Sequence, residues 1–489
     1  MYYIGIDLGT SAVKLLLMDE NGAIRNTVSK EYPLYFPQPG WSEQRPEDWY
    51  EQTAAGLYEL LDGFDRSQLE GISFGGQMHG LVILDEKDQV IRPAILWNDG
   101  RTGEETDYLN KQIGKDKLSA YTANIAFAGF TAPKLLWLRR HEPENFEKIR
   151  KIMLPKDYIA YRLTGVHCTD LSDASGMLLL DVKNRCWSDE MIEICGIKKD
   201  WLPSLFESYE AVGTVTKETA AQLHIPETVK VAAGAGDNAA AAVGTGTVGD
   251  GRCNISLGTS GTVFISSRKF GVDVNNALHS FAHADGCYHL MGCMLSAASC
   301  NKWWMDEILK TGDYAGEQAA IKELGRNNVY FLPYLMGERS PHNNPNARGT
   351  LIGMTMDTAR EDITLAVLEG VAFALRDSFE VAKSLGISIE RTKICGGGAK
   401  SPLWRRLIAN ILNIRVDVLA QEEGPAMGAA MLAAVACGRF SSVEEAAERL
   451  VKAVDTVEPE PELAARYEER YQKFRLLYPA LKDVFDRIK

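Results

Sequence analysis

The four residues Leu8-Gly9-Thr10-Ser11 return unchanged as Leu257-Gly258-Thr259-Ser260. Each copy ends one strand-like run and opens another. Tyr2 to Asp7 and Val13 to Met18 flank the first, and Asn254 to Ser256 and Gly261 to Ser266 flank the second. A turn of small residues between two β-rich runs is a hairpin. Two such hairpins 249 residues apart in a chain of 489 imply two related domains, divided as 1–245 and 246–489. A chain of this length exceeds one ordinary core, which agrees with the division. Each turn also offers backbone N–H groups and two hydroxyls, which suit phosphate oxygens. Gly9, Thr10 and Ser11 on one side, and Gly258, Thr259 and Ser260 on the other, are therefore expected to grip one polyphosphate between them.

The residues around the turns extend this expectation. Asp7 closes the first strand just before its turn. It is either a turn-capping carboxylate or a ligand for Mg²⁺, an ion that prefers few carboxylates together with phosphate oxygens. Lys14, three residues past the turn, is either an exposed strand lysine or a phosphate contact. The run Gly75-Gly76-Gln77-Met78-His79-Gly80 ends a strand in small and polar residues, where a ligand can come close and Gln77 and His79 can bond hydroxyls. Trp97-Asn98-Asp99-Gly100-Arg101 combines a ring face with amide, carboxylate and guanidinium groups, as a polyhydroxylated ligand needs. Asn98 or Asp99 would also serve as the N-cap of a helix starting near Thr102.

Asp237 sits where the buried-strand run Val229 to Ala233 gives way, through Gly234-Ala235-Gly236, to an alanine-rich helix. As a helix N-cap it is structural; as an acid held ionised by the helix dipole it is a general base. Its pairing with Asp7 beside two phosphate-type turns favours the base. Gly396-Gly397-Gly398, between a strand and the helix Pro402 to Leu412, suits close contact with the sugar or base of a nucleotide. Pro46 to about Asp62 and Ile363 to Leu385 read as helices, and a helix is entered through Pro133. The segment 169–176 reads as a polar connector that frames the cleft.

Net charge of −13 disfavours a nucleic acid or an anionic membrane as partner, and no apolar run is long enough to span a bilayer. Nine cysteines without a Cys-x-x-Cys pair, behind an N-terminus that begins at once with a strand, fit reduced thiols in a cytoplasmic protein. His279 and His283 have the spacing of one helix face, but no acidic or thiolate cluster accompanies them, so no structural metal is expected there.

Taken together, Ile6 to Ser11, Gly129 to His141 with Lys134 and Trp137, and Gly349 to Gly370 with Glu369 resemble the motifs of the FGGY carbohydrate kinases, and the likeness runs through nearly all of the chain. Gly76 to Gly80 and Ala94 to Arg101 resemble one subgroup, since glycerol kinases of the family carry an Arg-Glu pair where Met78-His79 stand. The resemblance implies an α/β protein of two ribonuclease-H-like, actin-like ATPase domains with a central interdomain cleft. It implies ATP as donor, Mg²⁺ as cofactor and a small sugar as acceptor. Asp237 would be the base, with Asp7 beside it at the catalytic centre and both carboxylates available to the metal. Gln77, Met78, His79, Trp97, Asn98, Asp99 and Asn238 would bind the sugar. Gly9, Thr10, Ser11, Lys14, Gly258, Thr259, Ser260, Gly397, Gly398 and Ser401 would bind the nucleotide. A homodimer is the expected assembly. The rival from another class is an ATP-driven chaperone or filament subunit of the same fold, for which the His79 and Trp97 clusters have no task. A sugar-responsive regulator would need a helix-turn-helix or a basic patch, and neither is evident.

Overall fold

Each repeated turn joins the two antiparallel strands that begin a sheet. A computed structural model of the chain describes residues 1–420 and 423–488. In the first half, β1 (Tyr2–Leu8), β2 (Ala12–Asp19) and β3 (Ile24–Glu31) form an antiparallel meander. After α1 (Pro46–Leu60), β4 (Leu69–Gly76) returns parallel to β1. Among the helices that follow are α2 (Thr131–His141) and α3 (Pro155–Thr164). The sheet is completed by β5 (Ala211–Thr214), β6 (Lys230–Ala232) and β7 (Ala235–Gly236), in the order β5-β6-β4-β1-β2-β3 with β7 also on β4. Then α4 (Asp237–Gly244) leads to the second half.

There β8 (Cys253–Leu257) and β9 (Gly261–Ser267) repeat the opening hairpin, followed by β10 (His279–Ala282) and β11 (Tyr288–Met294). The long α5 (Arg360–Ser384) precedes β12 (Arg391–Cys395), which lies parallel to β8 as β4 does to β1. The chain continues with α6 (Pro402–Leu412), β13 (Arg415–Leu419), α7 (Gly424–Ala436), β14 (Ala453–Val457) and α8 (Pro461–Phe474). The second sheet runs β10-β11-β9-β8-β12-β13-β14. In both sheets a hairpin strand borders a parallel strand that arrives through a helical crossover, so the sequence repeat is a repeat of topology.

Burial follows from this layering. β1 is covered on both faces and reads as a nearly continuous buried run, whereas the edge strand β3 alternates between covered and exposed residues. One core fills the second half around α5, with Trp404, Tyr467 and Phe373. Another lies under the first sheet with Trp49 and Phe74. A third joins the halves, bringing Tyr3, Leu16, Ala239 and Val243 against Ala426, Ala430 and Met431 of α7. That seam is tight: a Cβ built on Gly5 would lie 1.9 Å from the carbonyl oxygen of Ala426, and one on Gly428 would lie 1.8 Å from that of Ala240.

Several local expectations change. His279 stands in strand β10 and His283 just beyond it, not on a helix. Residues 169–176, read as a polar connector, are regular and buried: the end of a short strand, then a short α-helix and the start of a 3-10 turn. Helix α2 starts at Thr131, two residues before Pro133. Neither Asn98 nor Asp99 caps a helix; the following helix, Gly103–Asp107, has Thr102 at its N-cap. Among the described residues no helix is long and apolar enough to cross a membrane.

Candidate active site

Register places the two acids. In parallel pairing with β4, Asp7 stands opposite Gly75 and Leu8 opposite Gly76, while Ala235 and Gly236 of β7 stand opposite the same two glycines. Asp7, the Gln77–Gly80 segment and Asp237 thus lie at the carboxyl ends of adjacent parallel strands, where open α/β sheets bind ligands. Both acids are only partly exposed. Burial raises the Asp7 carboxyl to about 7, with the charge of Asp237 adding to the rise and Lys14 opposing it. Asp237 is raised to about 6 by burial, against the hydrogen bonds it accepts from the Asn238 amide nitrogens at 2.6 and 2.8 Å. Dehydration therefore outweighs the helix dipole expected to hold Asp237 ionised.

The first turn is held firmly on its carbonyl side. Tyr32 donates to the Gly9 carbonyl, and Gln44 Nε2 to that of Thr10 at 2.6 Å. Trp97 Nε1 reaches Thr10 Oγ1 at 3.0 Å, which leaves its ring half-exposed beside the turn. The backbone N–H groups of Thr10 and Ser11 have no intramolecular partner among the described residues. Two dehydrated carboxylates of like charge beside unused N–H donors form a donor set that fits Mg²⁺ with phosphate oxygens. Lys14, opposite Asp7 in the hairpin, is not free: its Nζ lies 2.5 Å from Glu423 of the second half.

His79 has a left-handed backbone, φ 69°, which a non-glycine residue adopts only under local constraint. The constraint is visible. Its carbonyl accepts from Thr131 Oγ1 at 3.1 Å and from the buried Lys134 Nζ at 2.7 Å. Burial lowers the Lys134 pKa well below the usual lysine range. The ring stacks on Phe130 at 4.6 Å, and Nδ1 lies 2.7 Å from the Gly176 carbonyl. A carbonyl can only accept, so Nδ1 carries the proton and Nε2 presents a lone pair. Burial lowers the His79 pKa to about 3, so the imidazole is neutral. Met78 Sδ lies 4.0 Å from Asn238 Nδ2, closing the pocket between the two strand ends.

Two residues expected at the sugar face elsewhere. Gln77 is buried and its Nε2 donates to Gln44 Oε1 at 3.1 Å, so its side chain braces the turn from behind. Asp99 is buried with both oxygens used: they accept from the Ser42 amide at 2.6 Å and from Arg101 at 2.8 and 2.7 Å. Asn98 is exposed at the rim.

In the second half, Gly258, Thr259, Gly397, Gly398 and Ser401 meet on one cavity of about 840 Å³, with Trp404, Tyr314 and Gln318 in its wall. Ser401 also caps α6, accepting from the Trp404 amide at 3.1 Å. Ser260 is exposed next to this cavity without lining it. Below Asp237, sequence reasoning missed a buried group in which Lys156 contacts Asp157 at 2.7 Å and Asp170 at 2.8 Å. Ser172 of the same segment accepts from the Gly236 amide at 3.2 Å, steadying the residue before Asp237.

Two sheets of one topology, with the acids and one phosphate-type turn at the strand ends of the first and the repeated turn with a nucleotide-sized cavity at those of the second, define a two-domain phosphotransferase of the actin-like ATPase fold. Residues 2–244 match the N-terminal domain of the FGGY family of carbohydrate kinases, and residues 253–437 match its C-terminal domain. The chain belongs to that family, and as a carbohydrate kinase it uses ATP. It is 41% identical to a xylulose kinase of Escherichia coli over 98% of this chain and 99% of that protein. It is 39% identical to one of Bacillus subtilis over 100% and 99% of the two chains. Among solved structures, that of a "xyloylose kinase" from Brucella ovis superposes with a TM-score of 0.93 at 39% identity, covering 99% of this chain and all of the other.

Proposed function

We propose that the protein transfers the γ-phosphoryl group of ATP to the 5-hydroxyl of D-xylulose, giving D-xylulose 5-phosphate. The reading rests on one observation: register sets Asp7 and Asp237 at strand ends beside His79, in a chain about two-fifths identical over its length to proteins named xylulose kinase. Residues 1–245 hold the sugar and the base, and residues 246–489 hold the nucleotide. Asp237 accepts the proton of the attacking hydroxyl. Its pKa near 6 leaves it ionised at neutral pH and a stronger base than an exposed aspartate. His79 Nε2 accepts from a sugar hydroxyl, Asn238 and Met78 set the depth of the pocket, and the Trp97 ring offers a stacking face.

The N–H groups of the two turns bind phosphate oxygens, and Gly397, Gly398 and Ser401 lie along the nucleoside. Mg²⁺ held by Asp7, with Asp237 next to it, would offset charge on the triphosphate. The remaining work is positioning and exclusion of water, the usual division in phosphoryl transfer. A cytoplasmic homodimer is the expected setting, to be checked by light scattering. The test is a coupled assay of the purified protein and of Asp237→Ala over a panel of ketoses and polyols. D-xylulose is expected to give the highest kcat/KM, and the variant to lose at least a hundredfold. Preference for another acceptor refutes the substrate; activity within tenfold refutes the base.

A further inference from the structure

We propose that Arg339 and His279 are sugar contacts supplied by the second domain, so that the acceptor is held from both sides of the cleft. The inference rests on the proposed sugar phosphorylation and revises its division of labour, in which the sugar belongs to the first domain alone.

The wall around His79 is built from both halves. Phe130 stacks on His79, Phe127 lies 5.4 Å from Phe130, and His279 of β10 packs 5.1 Å from Phe127 and 5.8 Å from Phe130. The guanidinium of Arg339 covers Phe127 at 5.3 Å, reaching the first-half wall from a second-half loop. That loop is fixed: the Ser340 amide donates to the Cys293 carbonyl at 2.9 Å, and the Glu338 and Asn344 backbones bond each other at 2.9 and 2.8 Å. Arg339 is also close enough to His79 and His279 for its charge to disfavour their protonation.

Two features of this pair are unusual for purely structural residues. The imidazole of His279 is only 6% exposed, yet it has no hydrogen-bond partner among the described residues. Its nitrogens are not fully enclosed, so they remain open to a partner from outside the fold. Arg339 is half-buried, and its guanidinium forms no ion pair with a carboxylate among the described residues. The buried arginines elsewhere are matched: Arg101 with Asp99 and Glu43, Arg376 with Glu468, Arg470 with Glu369. The adjacent Glu338 is buried and accepts from the Arg339 backbone amide at 2.7 Å, not from its guanidinium, and burial raises its carboxyl to about 8.

A fork of N–H donors with no carboxylate partner and an imidazole with no hydrogen bond, both in the aromatic wall that holds His79, suit the adjacent hydroxyl and ketone oxygens of a short ketose. The immediate neighbours of Arg339 are the His79 wall and Cys293, not the cavity bounded by Gly397 and Ser401, so the sugar rather than the nucleoside is its partner. Strand β10 shares a core with the first half and is tied to it by Asn124 and Ser175, so this part of the wall is already assembled to receive a sugar.

The test is steady-state kinetics on the full chain with D-xylulose and ATP, comparing wild type with Arg339→Met, Arg339→Lys and His279→Asn. Arg339→Met is expected to raise the KM for sugar at least tenfold while the KM for ATP stays within twofold. Arg339→Lys, which keeps the charge but loses the fork, should raise the sugar KM at least threefold, and His279→Asn likewise. A sugar KM within twofold of wild type in both arginine variants overturns the proposal, as does a fall in kcat alone, which would place Arg339 on the transferring phosphoryl group. If Arg339→Met melts early, the lysine variant decides by the same criterion. Wild type inert toward D-xylulose would instead refute the proposed substrate, so the two failures are distinct.

Discussion

At the scale of single residues, the cleft is defined by groups whose titration has been moved. Asp237 at about 6 and His79 at about 3 are separated in the direction opposite to their free values, so at neutral pH the proposed base is charged and the imidazole neutral. The rate should therefore fall on the acid side as Asp237 takes a proton, with kcat/KM for sugar dropping tenfold per unit below about pH 6. His79 should add no titration above pH 4. The sign of the stability effect is opposite to that of the rate. The folded pKa of Asp237 lies above its unfolded value, so this group favours folding most below about pH 4, and the benefit is lost as pH rises through 6. The acid loss of activity should then be reversible, with no fall in Tm traceable to this residue. By the same argument Asp237→Asn, which keeps an acceptor for Asn238, should be inactive yet more stable at pH 8 by ~2 kcal/mol. A lower Tm for that variant would show that its charge stabilises the fold, contrary to the raised pKa.

At the scale of elements, the seam between α4 and α7 fixes how the base sits. Asp237 is the first residue of α4, and α4 packs its backbone on α7 through Ala240, Gly244, Gly424 and Gly428. A Cβ on Gly244 would lie 2.5 Å from the Gly424 carbonyl oxygen. In an isolated helix Gly428→Ala would add stability, by about 1 kcal/mol. Here it must push two backbones apart, so the expected result is a loss of ~2 kcal/mol or more and a lower kcat, read by thermal melting and assay. An unchanged Tm would mean that the seam yields more readily than its close contacts imply. These elements were largely legible beforehand, because a small-residue turn between β-rich runs and a glycine-rich strand end are local signals. What was not legible depends on partners far along the chain. Asp99 and Gln77 have the chemistry of sugar ligands, and nothing in their neighbours shows that Ser42 and Gln44 have claimed them. His279 and His283 misled for another reason: a spacing of four shares a face in a strand as well as in a helix. The sequence marks Arg339 only as part of a rigid loop after a strand, and gives it no role, since its significance lies in Phe127 and His79 in the other half.

At the scale of the whole molecule, the contacts between the two halves include the α4–α7 seam, the wall around His79, the Arg185 guanidinium on the Gly286 and Cys287 carbonyls, and an ion pair beside the proposed catalytic centre. Lys14 of β2 meets Glu423, which stands at the entry to α7, at 2.5 Å. Both side chains are about one-third exposed, so the pair contributes at most ~1 kcal/mol to stability. Its interest is competition, because the lysine that would meet a phosphate group is held by a carboxylate of the opposite domain. Bound ATP must draw Lys14 away from Glu423 or place phosphate charge near both. Glu423→Gln removes the competitor without altering the hairpin. The expected outcome is a KM for ATP two- to fivefold lower, a Tm within a degree of wild type, and a difference that shrinks at ~0.5 M salt as the charges are screened. An ATP KM that is unchanged or higher at low salt would show that Glu423 positions Lys14 for the phosphate instead of withholding it, and Lys14→Met separates these cases by abolishing the effect of the second substitution only if the two residues act through each other.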